Sequence, residues 1–300
     1  MKIIVIGSIA FDTLERSEAR VEDVLGGSAV YFAYAASFFA DVGIVGVVGK
    51  DFSPELLNML KNRGIDIEGL KIHEGETFRW EGRYSCNMNE RETISVCQNV
   101  FENFTPEIPR KYRKSGFVFL GNIAPCQQME VLSQVEKPLL TAADTMDLWI
   151  KNDLDELMRV MKNIDMLVIN DSEAKLLTGE NNIVKALRKI NKLGPEIAVI
   201  KRGENGAVLA RNGRVLLSVP AYPLEKFADP TGAGDAFAGG MLGAVARAGK
   251  VDEETLKSAV AYGSVVASFC VEEFSLDKLK SITEEDINQR FAEYAKITGF

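Results

Sequence analysis

Histidine and cysteine are scarce in this sequence of 300 residues. A single histidine, His73, makes a multi-histidine metal site unavailable within one chain, and a Ser-His-Asp arrangement would have to use that residue. The four cysteines include no Cys-x-x-Cys pair, which argues against a zinc knuckle and against a disulfide framework. We therefore expect reduced thiols in a cytoplasmic protein.

Basic residues are fewer than acidic residues. The sequence has 35 Lys and Arg against 43 Asp and Glu, a formal net charge of -8. This balance argues against a nucleic-acid surface and against an anionic membrane as partners. The apolar run over residues 26–49 contains Asp41 and several glycines, so a buried helix followed by a buried strand explains it better than a membrane span. A signal peptide is not evident before the first predicted strand at Lys2–Ile6.

Strand and helix patterns alternate along most of the chain. This rhythm predicts an α/β fold in which helices cover both faces of a mostly parallel central sheet. It is interrupted over residues 65–100, where strand-like alternation prevails and 86–90 resembles a hairpin connection. This stretch predicts a small sheet that projects from the main body and covers a site or forms a dimer contact; an edge hairpin packed on the core is the alternative.

Polar side chains follow several of the predicted strands. Asp12 comes shortly after the first strand, and similar positions are held by Asn122, Asp144 and the pair Asn170 and Glu173. Because ligands bind outside the carboxyl ends of parallel strands, these side chains predict a shared crevice. Asp12 is then a candidate for contacting a polar substrate, although a turn aspartate is an equal alternative.

A glycine-rich turn enters a helix near residue 235. Gly232, Ala233 and Gly234 leave the backbone bare, so a phosphate can approach the amides of the first helical turn. A carboxylate in such a place, Asp235, would repel the phosphate as a binding group but suits a general base. The pattern therefore predicts phosphoryl transfer. The alternative is an ordinary helix start, with Thr231 as N-cap and Asp235 placed by the helix dipole.

Four motifs resemble those of the ribokinase-like (PfkB) carbohydrate kinases. Residues 229–235, Asp-Pro-Thr-Gly-Ala-Gly-Asp, resemble the D-T-x-G-A-G-D signature. The Gly-Gly-Ser at 26–28 with residues 45–51 resembles a second, glycine-rich signature. Asn170-Asp-Ser-Glu173 resembles the N-x-x-E motif, and residues 201–206 resemble a T-x-G-x-x-G nucleotide loop. Their order and spacing agree over essentially the whole chain.

The resemblance implies a ribokinase-like three-layer fold and transfer of the γ-phosphate of ATP to a hydroxyl. It also implies a single domain spanning 1–300, with β lid segments at about 12–24 and 65–100. Asp235 is implied as the base, and Gly232, Ala233 and Gly234 as the anion hole. Glu173 is implied to hold Mg²⁺ through water. The other implied site residues are Asp12, Gly26, Gly27, Ser28, Asn122 and Asp144 for the substrate, and Asn170, Lys201, Gly203, Gly206 and Thr231 for the nucleotide.

Three departures from the family pattern affect these implications. Pro230 replaces the usual threonine beside Asp229, although a monovalent-cation role for Asp229, with K⁺ as the candidate, survives through backbone carbonyls. Lys201 and Arg202 stand where small and apolar residues are common, and their charges either touch the phosphates or lie in solvent. Residues 271–274 lack a glycine that often follows there, so the rest of a K⁺ site is not carried over.

The substrate stays open between a small sugar and a nucleoside. Phe78, Trp80 and Tyr84 fall on one side of a predicted strand, where they either stack on a nucleobase or pack a lid or dimer interface. A homodimer through the lid is the expected assembly. A non-catalytic ligand sensor is a second class of function. A dinucleotide oxidoreductase is weaker, because no G-x-G-x-x-G follows the first strand.

Overall fold

The computed structural model describes residues 2–16, 19–84 and 91–299. Thirteen strands lie in these ranges. They are β1 (Ile3–Ile6), β2 (Ala10–Arg16), β3 (Ala19–Gly26), β4 (Val42–Gly49), β5 (Asp66–His73), β6 (Phe78–Tyr84), β7 (Arg91–Cys97), β8 (Phe117–Leu120), β9 (Leu140–Ala143), β10 (Met166–Asn170), β11 (Ile197–Lys201), β12 (Ala207–Arg211) and β13 (Arg214–Val219). The predicted hairpin connection at 86–90 lies outside the described residues.

Nine of these strands form one large sheet in the order β13-β12-β11-β10-β9-β8-β1-β4-β5. Every neighbouring pair from β11 to β5 is parallel, and β12 and β13 add antiparallel at one edge. β1 and β8 are apolar along their whole length, and β10 is apolar up to its last residue, Asn170, because both faces of the sheet are covered. The expected mostly parallel sheet is confirmed.

Eleven α-helices occur in the described residues. One hydrophobic layer contains buried residues of α1, α2 and α8 to α11, and the layer on the other face contains those of α3 to α7. The helices are α1 (Ser28–Ala36), α2 (Pro54–Asn62), α3 (Pro125–Gln134), α4 (Asp147–Asn152), α5 (Leu154–Met161), α6 (Asp171–Thr178), α7 (Ile183–Leu193), α8 (Ala233–Ala248), α9 (Glu253–Cys270), α10 (Asp277–Ser281) and α11 (Glu284–Thr298). No helix of the described residues is long and apolar enough to cross a membrane.

A separate sheet of four strands, in the order β3-β2-β6-β7, forms the lid. β2 and β6 are parallel, while the two outer strands pair antiparallel. The predicted second lid segment, 65–100, begins too early, because β5 pairs with β4 in the large sheet. β5 is a half-buried edge strand, and its polar and apolar residues therefore alternate as they would in a lid strand.

Candidate active site

The turn before α8 is shaped around Gly232. This residue is the N-cap of α8, with a left-handed φ of 74°. A Cβ at this position would lie 2.4 Å from the ring of Tyr31, which is buried in α1 beneath the turn. Both the backbone angle and the close approach require glycine here. Thr231 is therefore not the N-cap of this helix, as the alternative of an ordinary helix start supposed.

The amides at this helix start are not all available. Ala233, expected to line the anion hole, donates its N–H to the Pro230 carbonyl at 3.1 Å, because the tight turn closes on itself. The N–H of Gly234 has no hydrogen-bond acceptor among the residues that the structure describes. Asp235 follows in the first turn of α8 and is half-buried. Of the residues predicted to form an anion hole, Ala233 therefore has its amide N–H occupied, whereas Gly234 does not within the described ranges.

Asp229 lies at the other end of the same turn, where it is 1% exposed. Its Oδ1 accepts hydrogen bonds from the N–H of Thr231 at 3.0 Å and from the Thr231 hydroxyl at 2.7 Å. Its Oδ2 is buried without a hydrogen-bond partner in the described part of the chain. Burial raises the pKa of this carboxyl above its ordinary value. The hydrogen bonds from Thr231 and the charge of Arg16 act in the opposite direction, so the burial of this carboxylate is only partly compensated.

The lid sheet contacts the turn before α8 through residues of β6 and β2. The hydroxyls of Tyr84 and Thr231 lie 2.8 Å apart, and Arg16 of β2 donates to the carbonyl of Ala228. Asp12 of β2 is 4% exposed, and a Cβ on Gly26 of β3 would lie 1.9 Å from its Oδ2. The structure therefore brings Asp12 and Gly26 together within the lid sheet.

Two residues predicted for the substrate hold the backbone at the start of α1. Gly27 has a φ of 95°, and a Cβ there would lie 2.4 Å from the Ser8 carbonyl oxygen. Ser28 accepts from the Ser8 N–H at 3.2 Å and donates its own N–H to Ser8 Oγ at 3.1 Å. Ser28 thus fixes the loop after β1 through these reciprocal bonds.

A second group of charges surrounds Lys201, at the end of β11. Its Nζ lies 3.0 Å from Asp144 Oδ2, and the exposed fractions of the two side chains are 14% and 10%. The other oxygen of Asp144 accepts from the Thr145 N–H at 2.8 Å. Of the two alternatives for the Lys201 charge, contact with phosphates or a position in solvent, the structure excludes the second. Asp144, predicted to bind substrate, has protein partners on both oxygens.

The N-x-x-E motif forms the start of α6. Asn170 Oδ1 accepts from the Glu173 N–H at 2.8 Å, and Glu173 Oε2 accepts from the Asn170 N–H at 3.1 Å. This is a capping box, which fixes both side chains at the carboxyl end of β10. Burial, and secondly the nearby Asp144, raise the pKa of Glu173 to about 7. A site that raises a carboxyl pKa in this way is suited to a cation.

Three further residues predicted for the site are Asn122, Gly203 and Gly206. Asn122 accepts from the Trp149 indole N–H at 2.9 Å. Gly203 and Gly206 flank the short 3₁₀ turn between β11 and β12, where the Arg202 N–H donates to the Gly206 carbonyl at 2.7 Å. The loop is therefore rigid at its base and exposed at its tip.

The three lid aromatics do not form one common stacking surface. The Phe78 ring packs on Phe101, with centroids 5.3 Å apart. Trp80 donates its indole N–H to the Thr93 hydroxyl at 3.3 Å. Tyr84 is buried and lies against the turn before α8. Sequence reasoning missed these separate roles, and it missed Tyr31, whose only sequence signal was its place in a wholly apolar helix.

Comparison with known proteins identifies the class to which this fold and site belong. Residues 1–281 match the pfkB family of carbohydrate kinases. A cytidine kinase of Thermococcus kodakarensis is 30% identical over 261 residues, which cover 84% of this chain and 91% of the relative. The chain therefore belongs to the pfkB family, and it is a carbohydrate or nucleoside kinase.

Solved structures show the same fold at low sequence identity. A Burkholderia thailandensis nucleoside kinase in complex with inosine has a TM-score of 0.78 at 19% identity, with 99% of each chain covered. A Vibrio cholerae fructokinase with fructose, ADP and calcium ion bound has a TM-score of 0.78 at 17% identity, covering 97% of this chain and 98% of that one. The ribokinase-like fold expected from the sequence is confirmed.

Proposed function

We propose that this kinase transfers the γ-phosphoryl group of ATP to a hydroxyl of a small sugar or a nucleoside, with Asp235 as general base. The observation that carries the proposal is Asp235 in the first turn of α8, one residue after a Gly234 amide that has no acceptor in the described chain. The amide and the helix dipole favour an anion, while the carboxylate disfavours one. A base that takes a proton from the attacking hydroxyl resolves this conflict.

In this step the acceptor oxygen forms a bond to the γ-phosphorus as the bond from that phosphorus to the bridging oxygen breaks. ADP leaves with the electron pair, and Asp235 takes the hydroxyl proton. Gly232 keeps the backbone turned so that Gly234 presents its N–H to the transferred group. Since phosphoryl transfer needs mainly positioning and charge stabilisation, such a turn supplies much of what the reaction requires.

The donor side fits a nucleotide with a divalent cation. Glu173 is held at the end of β10 by its capping box, and its raised pKa reflects burial and the neighbouring Asp144. Mg²⁺ bound with ATP supplies positive charge to the phosphates, and Asn170 and Glu173 would hold it through water. Gly203 and Gly206 would lie along the nucleotide. The fructokinase of the same fold was solved with ADP and a calcium ion bound, which supports a nucleotide and a divalent cation as the kinds of ligand.

A monovalent cation, with K⁺ as the candidate, is proposed beside Asp229. The buried Oδ2 of Asp229 has no hydrogen-bond partner in the described residues, and a cation would offset the cost of burying its charge. We expect faster turnover in potassium chloride than in choline chloride at equal ionic strength. Equal rates in the two salts would remove this part of the proposal.

A nucleoside acceptor is favoured by one further observation. Trp80 pairs in register with Asp12 across β6 and β2, so both side chains lie on the same face of the lid sheet. The Trp80 indole, next to the carboxylate of Asp12 that is proposed to bind the substrate, offers a flat apolar surface on which a nucleobase can stack. The cytidine kinase relative agrees with this choice.

An acceptor screen tests the function. MgATP is supplied with ribose, fructose, inositol, adenosine or cytidine, and ADP formation is measured. We expect turnover with at least one acceptor, and with a nucleoside before a free sugar. Turnover with sugars alone would overturn the nucleoside choice. Binding of these compounds without ADP formation would favour the ligand sensor.

We also propose a homodimer through the lid. β7 is the edge strand of the lid sheet, and its Ile94 and Val96 are 41% and 49% exposed. An exposed apolar edge strand favours pairing with a second copy. Light scattering should give twice the mass of the chain, and a monomeric mass would contradict the proposal.

A further inference from the structure

Lys201 and Asp144 form a buried ion pair beside the proposed anion hole. Lys201 is the last residue of β11 and Asp144 directly follows β9; the two strands are separated by β10, and the charged atoms lie 3.0 Å apart. A Cβ placed on Gly234 would lie 2.9 Å from Lys201 Nζ. The ammonium group therefore rests against the first turn of α8, next to the Gly234 amide.

The hydrogen bonding of this ammonium group is incomplete. An ammonium group has three donors, and in the described chain Asp144 supplies its one hydrogen-bond acceptor. The side chain is 14% exposed, so little water replaces the missing acceptors. Burying charged donors without partners is costly, which indicates that a ligand completes the set. An anion in the hole beside Gly234 is in reach of the same group.

The charge of Lys201 is maintained despite burial. Desolvation opposes the charged form, but the carboxylates of Asp144, Glu173 and Asp235 outweigh it and raise the pKa of the lysine. A charged ammonium that is shielded from water acts more strongly on a neighbouring phosphate than it would in bulk water.

We propose that Lys201 is a catalytic residue that donates to the transferring phosphoryl group, and that Asp144 is the positioning residue that aims it. This inference rests on the proposed phosphoryl transfer. Negative charge on the equatorial oxygens of the transferring group is stabilised by Lys201, which keeps its own protons throughout. Asp235 takes the proton of the acceptor hydroxyl, the new P–O bond forms on that oxygen, and ADP leaves with the electrons of the broken bond.

A purely structural role of Lys201 and a catalytic role lead to different expected results in a double variant. If Lys201 only neutralises Asp144, removal of both charges in Lys201→Met/Asp144→Asn restores what Lys201→Met alone loses. If Lys201 acts on the phosphoryl group, the double variant is as defective as the single one. Lys71→Met, which breaks a surface pair with Glu107 at 2.8 Å, controls for loss of a lysine as such.

The first readout is binding of MgADP by calorimetry, with and without aluminium fluoride as a mimic of the transferring group. We expect aluminium fluoride to tighten MgADP binding in the natural protein and in Lys71→Met. In Lys201→Met and in the double variant, we expect this tightening to be lost while binding of MgADP alone is retained. Turnover of MgATP, with an acceptor found in the screen, should fall by roughly 10²- to 10³-fold in both.

Three outcomes would overturn the inference: recovery of turnover in the double variant, an equal loss of MgADP binding with and without aluminium fluoride, or tightening that persists in Lys201→Met. Thermal unfolding of each variant shows whether the fold is kept. A natural protein that shows no tightening, together with an Asp235→Asn variant of full activity, would instead count against the proposed function itself.

Discussion

Replacement of Gly232 by alanine should distort the turn that presents the proposed anion hole. The φ of 74° costs an alanine roughly 1–2 kcal/mol, because its Cβ approaches the following carbonyl in a left-handed conformation. The Cβ would also lie 2.4 Å from the ring of Tyr31, which is 1% exposed and cannot move without disturbing the core. Overpacking of this kind adds about 1–3 kcal/mol.

Gly179→Ala is the matched control for this substitution. Gly179 follows α6 with a φ of 70°, and a Cβ there has no heavy atom within 4 Å. It therefore carries the backbone cost without the collision. Denaturant unfolding should show a larger loss of stability for Gly232→Ala than for Gly179→Ala, by about 1–3 kcal/mol. Equal losses would refute the claim that Tyr31 fills the space beneath the turn.

Two further predictions concern Glu173 and Tyr84. The pKa of Glu173 is raised from 4.5 to about 7, first by burial and then by Asp144, so the folded chain binds this proton more tightly than the unfolded chain. The stability that this group contributes is present below about pH 4.5 and is lost as the pH rises to about 7, by about 3 kcal/mol at most. Glu173→Gln should flatten the pH dependence of unfolding over this window in magnesium-free buffer, and an unchanged slope would contradict the raised pKa. Tyr84→Phe removes the lid's hydroxyl contact with Thr231 at 2.8 Å, worth about 0.5–1.5 kcal/mol. The KM for the acceptor should rise several-fold, whereas Tyr222→Phe, which loses a surface contact with Glu293, should leave it unchanged. A fall in kcat with an unchanged KM would argue against a role in closing the lid.

The large sheet could be predicted from sequence because its strands are covered on both faces and form continuous apolar runs. The pattern was less informative where one face meets water, so β5 was assigned to the lid. Between β9 and β10 the chain forms two helices, α4 and α5, because Asp153 leaves the helical conformation with a φ of -142°. α7 was missed, although Asn182 before it accepts from the Lys185 N–H and is an N-cap signal.

The candidate site could be predicted only where its residues are close in sequence. Asp235 and the glycines before it share one turn, so a local pattern was enough. Lys201 and Asp144 are 57 residues apart on strands that are not neighbours, and their pairing depends on the order of the whole sheet. The loss of the Ala233 amide to Pro230 follows from the geometry of the turn, which residue types alone do not specify.

Asp235→Asn tests the central claim most directly. The substitution keeps the shape and hydrogen-bonding capacity of the side chain but removes the base, which alone supplies roughly 10²- to 10⁴-fold in rate. Turnover of MgATP with its acceptor should fall by about this factor, while calorimetry should show that MgATP still binds. Turnover equal to that of the natural protein would contradict the assignment of Asp235 as the general base.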